Sequence, residues 1–208
     1  IIVQAGGKGT RMQKLTRNKP KALVPVQNLP MIFHLFRKYP KKKYIIIGDY
    51  KYEVLQRYLE AFADVDYQMV NAGGRQGTLG GLNKAVSCIP QGQSFMLIWS
   101  DLILPEHFKL PKEPGNYVGI SKDFTCRWMY QNGHFKEHPS EECGVAGLFV
   151  FPDPSVLKDL PSEGEFVRWL GESGIPFREL ALAHTKEYGL LSEYEKLQPE
   201  TCRPFNRL

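Results

Sequence analysis

The residues best suited to chemistry form a glycine-rich loop close to the start of the chain. Segment 5–12 reads Ala-Gly-Gly-Lys-Gly-Thr-Arg-Met and directly follows an apolar run. Glycines at positions 6, 7 and 9 let backbone N–H groups approach an anion closely, and Thr10 can begin a helical turn whose amino end favours phosphate. The loop lacks the Gly-Lys-Ser/Thr ending of a Walker A motif and the third glycine of a dinucleotide fingerprint. It predicts phosphate binding by another type of site.

A second basic element follows the glycine loop. Segment 18–26 reads Asn-Lys-Pro-Lys-Ala-Leu-Val-Pro-Val. Pro20 and Pro25 restrict the backbone to extended conformations, so the direction of Lys21 is restricted as well. This arrangement predicts a lysine that is presented to a phosphate, whereas Lys-Pro-Lys in isolation would fit a surface turn with two solvated lysines.

The pattern of apolar segments places these elements on an α/β fold. Strands are predicted to alternate with amphipathic helices, which implies a doubly wound, mainly parallel sheet with ligands at the carboxyl ends of its strands. The most hydrophobic predicted strand, 95–100, ends at Asp101, so we expect Asp101 beside the glycine loop. The predicted strands are 1–3, 44–47, 65–70, 95–100, 116–120, 126–131, 144–151 and 177–182, and the predicted helices are 30–39, 50–62, 80–86 and 165–171.

The charge of the chain is distributed unevenly. The net charge is +5, yet residues 1–48 contain eleven Lys or Arg and no acid, and the remaining 160 residues carry 16 basic residues against all 22 acids. Such a cationic segment is typical of proteins that bind polyanions, including nucleic acids. Here the cations are interleaved with a glycine loop and lack a pattern of exposed aromatic residues, so we expect no nucleic-acid partner.

Metal-binding, disulfide and membrane patterns are weak. The four cysteines form no Cys-x-x-Cys pair, which favours reduced cytosolic thiols. His134 and His138 are four residues apart, but a glycine-containing turn and Pro139 argue against a shared helical face for zinc. No apolar run approaches the ~20 residues of a membrane span. We therefore expect a cytoplasmic protein without a membrane partner.

The two basic motifs together resemble the signature of the nucleoside-triphosphate transferase family, the sugar-1-phosphate nucleotidylyltransferases with their cytidylyl and guanylyl relatives. The resemblance is specific through residue 26 and looser over nearly the whole chain. It implies the Rossmann-like nucleotide-diphospho-sugar transferase fold, an α/β fold with a doubly wound, mainly parallel mixed sheet. It also implies a Mg²⁺-dependent reaction that joins a nucleoside triphosphate to a phosphorylated acceptor and releases pyrophosphate.

The resemblance also implies site residues. Arg11 and Lys21 match catalytic positions, and Asp101 matches the metal aspartate of the family. Glu187 lies where relatives place a second metal carboxylate, although they use Asp there. The positions that the resemblance assigns to nucleotide binding are Ala5, Gly6, Gly7, Gly9, Thr10, Asn71, Gly77 and Thr78.

The acceptor side is matched less closely. Lys136 and Gly147 resemble residues that meet the acceptor, but segment 135–139 reads Phe-Lys-Glu-His-Pro and lacks the usual Glu-Lys-Pro. Segment 126–131 contains Arg127 and Trp128, which would form either an acceptor-pocket wall or part of the core. Segment 164–169 is similar to the phosphocholine branch, so our interpretation favours CTP while other bases stay open.

We therefore interpret the chain as one nucleotidyltransferase domain over 1–208, with a nucleotide-binding half at about 1–110 and an acceptor-binding half at about 111–200. A further domain after residue 208 is an open expectation. The predicted reaction transfers a nucleoside monophosphate to a phosphorylated sugar or small alcohol for cell-surface glycan or capsule precursors. The alternatives are a noncatalytic nucleotide or nucleotide-sugar sensing module and a basic nucleic-acid-binding module. The oligomeric state is not readable from the sequence.

Overall fold

A computed structural model describes residues 1–74 and 77–197 of the chain. Short strands dominate it, and helices connect the strands of the first half. The strands are β1 (Ile2–Gln4), β2 (Pro25–Val26), β3 (Leu29–Pro30), β4 (Tyr44–Gly48), β5 (Tyr67–Asn71), β6 (Phe95–Trp99), β7 (Leu102–Ile103), β8 (Tyr117–Ser121), β9 (Met129–Gln131), β10 (His134–Lys136), β11 (Gly144–Phe151), β12 (Arg178–Ala181) and β13 (Lys186–Glu187). The α-helices are α1 (Met31–Lys38), α2 (Tyr52–Phe62), α3 (Leu82–Ser87), α4 (Phe166–Ser173) and α5 (Leu191–Leu197).

A nine-stranded mixed sheet runs through the described part of the chain. Its path is β10-β9-β11-β6-β1-β4-β5, while β8 pairs with both β11 and β12. β1 pairs in parallel with β4 and β6, β4 pairs in parallel with β5, and β12 pairs in parallel with β8. β11 runs antiparallel to β6 and connects the two halves. The sheet confirms the predicted α/β class and brings the carboxyl ends of β4, β1 and β6 side by side.

Successive side chains of a strand point to opposite faces of the sheet, and apolar residues on both faces form a core on each side. Ile2 and Val3 are both fully buried, but they belong to different hydrophobic clusters. The helix predicted at 30–39 is confirmed as α1, which buries Ile32, Leu35 and Phe36 against the Val3 face. Apolar side chains at i, i+3 and i+4 form one stripe on a helix, so the local pattern is sufficient to orient α1.

A third, smaller cluster holds the site segments together. Met12 follows the glycine loop, Val24 follows Lys21, and Tyr188 follows Glu187 in the chain. All three side chains are at most 1% exposed and pack in one cluster with Val26 and Met31. The backbones that carry Arg11, Lys21 and Glu187 are therefore fixed relative to one another by apolar packing.

The boundaries of several predicted elements differ from those of the structure. α2 begins at Tyr52 because Lys51 adopts a left-handed conformation (φ 54°), and α3 begins after Gly81, whose φ is 78°. Only Met129–Gln131 of the strand predicted at 126–131 joins the sheet as β9, while Cys126 forms an isolated bridge to Ser140. Within the described ranges, no helix has the length and apolar character needed to cross a bilayer.

Candidate active site

A cleft of about 620 Å³ opens at the carboxyl ends of β1, β4 and β6. Doubly wound sheets bind ligands at this edge, where the loops that follow parallel strands converge. The cleft carries both signs of charge. Its basic lining residues are Lys8, Arg11, Lys21 and Arg127, and its acidic lining residues are Asp49, Asp101, Glu165 and Glu187.

The glycine loop forms one wall of the cleft. Gly6 and Gly7 line it, and a Cβ added to Gly7 would meet no atom within 4 Å, so a ligand could approach that backbone directly. The amide nitrogens of Gly7 and Lys8 donate no hydrogen bond to residues 1–74 or 77–197. Gly9 adopts a φ of 61°, and an added Cβ would lie 3.1 Å from Lys21 Cβ. The loop therefore offers backbone donors on one side and packs against Lys21 on the other.

Ala5 and Thr10, which were also assigned to this loop, contribute to the local backbone structure. Ala5 is buried, and its amide donates to the Ile47 carbonyl at 2.8 Å. Thr10 is exposed and begins the 3-10 segment Thr10–Thr16. Neither residue belongs to the described cleft lining, nor does Gly9. Lys8 and Arg11 do line the cleft, so the loop contributes two basic residues to it.

Lys21 belongs to the second basic element, and its side chain reaches Asp101 in the cleft. Pro20 is extended (φ −67°, ψ 156°) and precedes the 3-10 turn Lys21–Leu23. This turn directs Lys21 Nζ to within 2.5 Å of Asp101 Oδ2. The side chains of Lys21 and Asp101 are only 18% and 6% exposed. The ammonium is therefore oriented by an ion pair as well as by the backbone.

Asp101 and Glu187 form a hydrogen-bonded carboxyl pair beside Lys21. β7 and β13 pair antiparallel with Glu187 opposite Leu102, which places Glu187 next to Asp101. Tyr188 N also donates to the Asp101 carbonyl at 3.1 Å. A Cβ on Gly189 would lie 1.8 Å from Glu187 Oε1, so a larger residue there would displace the Glu187 carboxyl group from its present position.

The two carboxyl groups have opposite pKa shifts. Burial, the charge of Asp101 and a hydrogen bond with Asp101 raise the pKa of Glu187 to about 8. Burial would also raise the pKa of Asp101, but the Lys21 charge and hydrogen bonds from Glu187 and Lys21 outweigh it, so the pKa lies below its usual value. The structure thus favours a proton on Glu187, donated to an ionised Asp101.

The carboxyl pair has the donor chemistry that suits magnesium. Mg²⁺ in proteins is commonly held by one or two carboxylates together with substrate phosphates and water. Asp101 and Glu187 supply two such side chains at a cleft whose other walls suit phosphate. In residues 1–74 and 77–197 no cluster of three or more His, Cys, Asp or Glu side chains could enclose a metal without a substrate.

Gly77 and Thr78 form the opposite wall and connect the two halves of the chain. Gly77 has a φ of 80°, and an added Cβ would lie 2.2 Å from the Gly164 carbonyl oxygen. Thr78 Oγ1 accepts a hydrogen bond from Phe166 N at 2.8 Å and donates one to Glu165 Oε2 at 3.1 Å. The start of α4 is therefore held against the Gly77–Thr78 turn.

Asn71 and Lys136 are not brought to the described cleft lining. Asn71 is exposed at the end of β5, where its Oδ1 accepts a hydrogen bond from Gly73 N at 2.7 Å. Lys136 is exposed on β10, which lies at the far end of the sheet path and pairs with β9. Strand order therefore separates both side chains from the carboxyl pair.

Gly147 affects the cleft through Trp99. Gly147 has a φ of 81°, and an added Cβ would lie 2.1 Å from Cδ2 and Cε3 of the Trp99 indole. Trp99, Trp128 and Arg127 all line the cleft, although Trp128 is only 4% exposed. Arg127 also donates to Glu137 Oε1 from Nη2 at 2.6 Å. These residues form the wall on the side of β11.

Gln4, Asp49 and Glu165 are among the lining residues that are absent from the sequence-based assignment. Gln4 and Asp49 come after predicted strands, and Glu165 begins a predicted helix. A signal for Asp49 is present in the sequence, since it is the first acid of the chain and lies two residues after the predicted strand 44–47. Gln4 was detectable as the polar residue between an apolar strand and the glycine loop. No local signal distinguishes Glu165 from a solvated helix-start acid.

Comparison with known proteins supports the family assignment. The chain is 29% identical over 106 residues to the UTP–glucose-1-phosphate uridylyltransferase AglF of Haloferax volcanii, covering 49% of this chain and 43% of that protein. It is 28% identical over 180 residues to the mannose-1-phosphate guanylyltransferase catalytic subunit beta of Dictyostelium discoideum, covering 75% of this chain and 50% of the relative. These matches span half or less of the curated relatives' length.

A solved structure supports the fold. HddC from Yersinia pseudotuberculosis superposes with a TM-score of 0.75 at 16% sequence identity, covering 94% of this chain and 96% of HddC. At this identity the likeness establishes the fold alone. The family profile described as Nucleotidyl transferase matches residues 1–110, which is more than half of the chain. The protein therefore belongs to the nucleotidyl transferase family.

Proposed function

We propose that the protein transfers a nucleoside monophosphate from a nucleoside triphosphate to a phosphorylated acceptor and releases pyrophosphate. One observation carries this proposal: Lys21 Nζ reaches Asp101 Oδ2 at 2.5 Å, which joins the cationic wall of the cleft to the carboxyl pair. A phosphoryl-transfer site needs donors for a triphosphate on one side and carboxylates beside the reacting phosphorus on the other. Both are present at one sheet edge.

The first wall is suited to the triphosphate. The amides of Gly7 and Lys8 donate to none of the described residues, and together with the Arg11 side chain they would hold the β- and γ-phosphates and stabilise the departing pyrophosphate. Lys21 would lie between donor and acceptor phosphates. The acceptor's phosphate oxygen attacks the α-phosphorus in line, so the reaction requires no protein nucleophile. The protein mainly aligns two anions and offsets their charge.

Asp101 and Glu187 are the residues that would hold Mg²⁺. The ion supplies charge neutralisation and orientation for the phosphates when it is bound. Glu187 must release its proton before it can act as an anionic ligand, whereas Asp101 already carries its charge next to Lys21. Lys21 keeps Asp101 ionised in the free enzyme and is then available to a substrate phosphate.

The wall that includes Trp99, Trp128 and Arg127 would receive the acceptor, a phosphorylated sugar or small alcohol. Aromatic faces suit an apolar or sugar ring, and the guanidinium of Arg127 suits a phosphate. We keep Gly147 as an acceptor-side residue because it makes room for the Trp99 ring. Lys136 would contribute only if the acceptor extends beyond the described cleft.

The sequence alone supports the proposed donor nucleotide, biological purpose and location. We propose CTP as the donor, synthesis of cell-surface glycan or capsule precursors as the purpose, and the cytoplasm as the location. We also propose one domain over 1–208 with nucleotide-binding and acceptor-binding halves. The continuous pairing of β6 with β11 supports that organisation because it joins the halves within one sheet.

A panel of donors and acceptors tests the function. CTP, GTP, ATP and UTP would each be combined with hexose 1-phosphates, phosphocholine and glycerol phosphate in the presence of Mg²⁺, with pyrophosphate release as the measurement. We expect release with one donor and one acceptor class. Nucleotide binding without release for any pair would favour a noncatalytic sensor, and salt-sensitive nucleic-acid binding without turnover would favour a nucleic-acid-binding module.

A further inference from the structure

Gln4 lies in the middle of the cleft floor. The register of the parallel strands places Gln4 beside Ile47 on β4 and beside Trp99 on β6. All three residues line the cleft. Ile47 is apolar, and Trp99 lies towards β11, because its ring is in contact with Gly147. Gln4 is therefore a polar side chain on the cleft floor, and it lies between the Gly77–Thr78 turn and the glycine loop.

A single hydrogen bond determines which end of the Gln4 amide is free. Gln4 Nε2 lies 2.5 Å from the carbonyl oxygen of Thr78. A carbonyl oxygen only accepts hydrogen bonds, so the amide nitrogen must face it and the Oε1 atom must face away. Gln4 Oε1 is buried and has no hydrogen-bond partner among the described residues. A buried acceptor without a partner is costly, and a ligand donor would remove that cost.

The nearby side chains of Thr78 and Asp49 also act as hydrogen-bond acceptors. Thr78 Oγ1 already accepts from Phe166 N and donates to Glu165, so it has no proton left for a ligand. Asp49 Oδ1 accepts from Gly74 N at 2.8 Å, which orients a carboxylate along the same side of the cleft. The side-chain polar atoms of Gln4 and Asp49 that remain for a ligand are oxygen acceptors.

We infer that Gln4 selects the nucleobase, with Oε1 accepting a hydrogen bond from an exocyclic amino group. The inference rests on the proposed nucleotidyl transfer, and it favours cytosine, guanine or adenine nucleotides over uracil and thymine nucleotides, which have no exocyclic amino group and only the ring N3–H as a donor. Uracil and thymine present a carbonyl oxygen where cytosine presents its amino group, and two oxygen acceptors facing each other repel. The Gln4 side-chain amide, which its hydrogen bond to the Thr78 carbonyl orients, would thus discriminate between bases with and without an amino group.

Calorimetric titration of the full-length protein with free CTP, GTP, ATP, UTP and dTTP tests this inference without an acceptor. We expect the best amino-bearing nucleotide to bind at least about tenfold more tightly than UTP and dTTP, as one discriminating hydrogen bond allows. Gln4→Met keeps the length of the side chain but removes the amide, so this preference should fall to near unity. Gln68→Met, on the exposed face of β5, is the matched control and should retain it.

The outcomes separate this inference from the proposed function. Preferential binding of UTP or dTTP by the wild-type protein overturns the inference, and pyrophosphate release with the same nucleotide would leave the function intact. An unchanged preference in folded Gln4→Met protein overturns the role of Gln4. If that variant fails to fold, the wild-type ranking alone decides the base class. Failure of every nucleotide to bind overturns both proposals.

Discussion

Lys21 Nζ lies 2.5 Å from Asp101 Oδ2, although 80 positions separate the two residues in the chain. The pair is mostly shielded from solvent, since the two side chains are 18% and 6% exposed. A buried charge is tolerated only when it is compensated, and the nearby Lys21 ammonium helps to hold the pKa of Asp101 below its usual value. The contact also connects the acid-free first part of the chain to the end of β6.

Replacing Asp101 with Asn should remove most Mg²⁺-dependent turnover while the fold is retained. Asn keeps the shape of the side chain but removes the charge that would hold the metal. Pyrophosphate release as a function of Mg²⁺ concentration measures the effect. Asp159→Asn, an exposed position outside the described cleft lining, is the control. Turnover close to that of the wild type in Asp101→Asn would refute the metal assignment.

Replacing Lys21 with Ala should lower kcat by about 30- to 1,000-fold, which corresponds to ~2 to 4 kcal/mol of lost transition-state stabilisation for one preorganised donor. Lys41→Ala removes an exposed lysine outside the described cleft lining and should have little effect. Steady-state kinetics with varied acceptor separate the two parameters. An altered acceptor KM with an unaltered kcat would mean that Lys21 only binds.

Arg127 should matter more than Lys136 for the acceptor. Arg127 lines the cleft, whereas Lys136 is exposed on β10 outside the described lining. Arg127→Ala should therefore raise the acceptor KM by about tenfold or more, the value of a charged hydrogen bond. Lys136→Ala serves as the matched comparison. A larger effect of Lys136→Ala would show that the acceptor extends to the sheet edge.

Gly147→Ala should destabilise the fold by about 2 to 4 kcal/mol, because it combines an unfavourable positive φ with a clash. The added Cβ would lie 2.1 Å from the Trp99 ring. Gly133→Ala is a close control, since its φ is 80° against 81° and no atom lies within 4 Å of the added Cβ. Urea unfolding should show a cost of only about 1 to 2 kcal/mol there. Equal costs would contradict the contact between Gly147 and Trp99.

The thiol of Cys126 should be almost inert near neutral pH. Burial and the charge of Glu187 raise its pKa to about 12. The thiolate is the reactive form, so alkylation at pH 8 should be about a thousandfold or more slower than for an ordinary thiol. The rate should rise about tenfold per pH unit up to about pH 11. Peptide mass spectrometry after iodoacetamide treatment measures it.

Cys88 is exposed and provides the internal comparison. In urea, where burial is lost, Cys126 and Cys88 should be labelled at similar rates. Comparable labelling of the two thiols in the native protein at pH 8 would contradict the raised pKa of Cys126.

Much of the fold was predictable because its signals are local. Strands β1, β4 and β6 are short apolar runs, and α1 and α2 have helical spacing of apolar residues. The pairs β2–β3 and β7–β13 were not predicted, since each strand has only two residues and is stabilised by its partner. Such short strands have no periodicity to detect.

The candidate site was predictable to a similar extent. The sequence itself identifies the glycine loop, the proline-flanked Lys21 and the strand-end Asp101, because glycine, proline and apolar runs constrain the backbone where they occur. Tertiary structure alone places Arg127 in the cleft and Lys136 outside its described lining. It also determines that Gln4 Nε2 donates a hydrogen bond to the Thr78 carbonyl, while Gln4 Oε1 has no partner in the part of the chain that the structure describes. The positions of these side chains depend on strand order and register, which bring together residues that are far apart in the chain. Local composition carries no information about either.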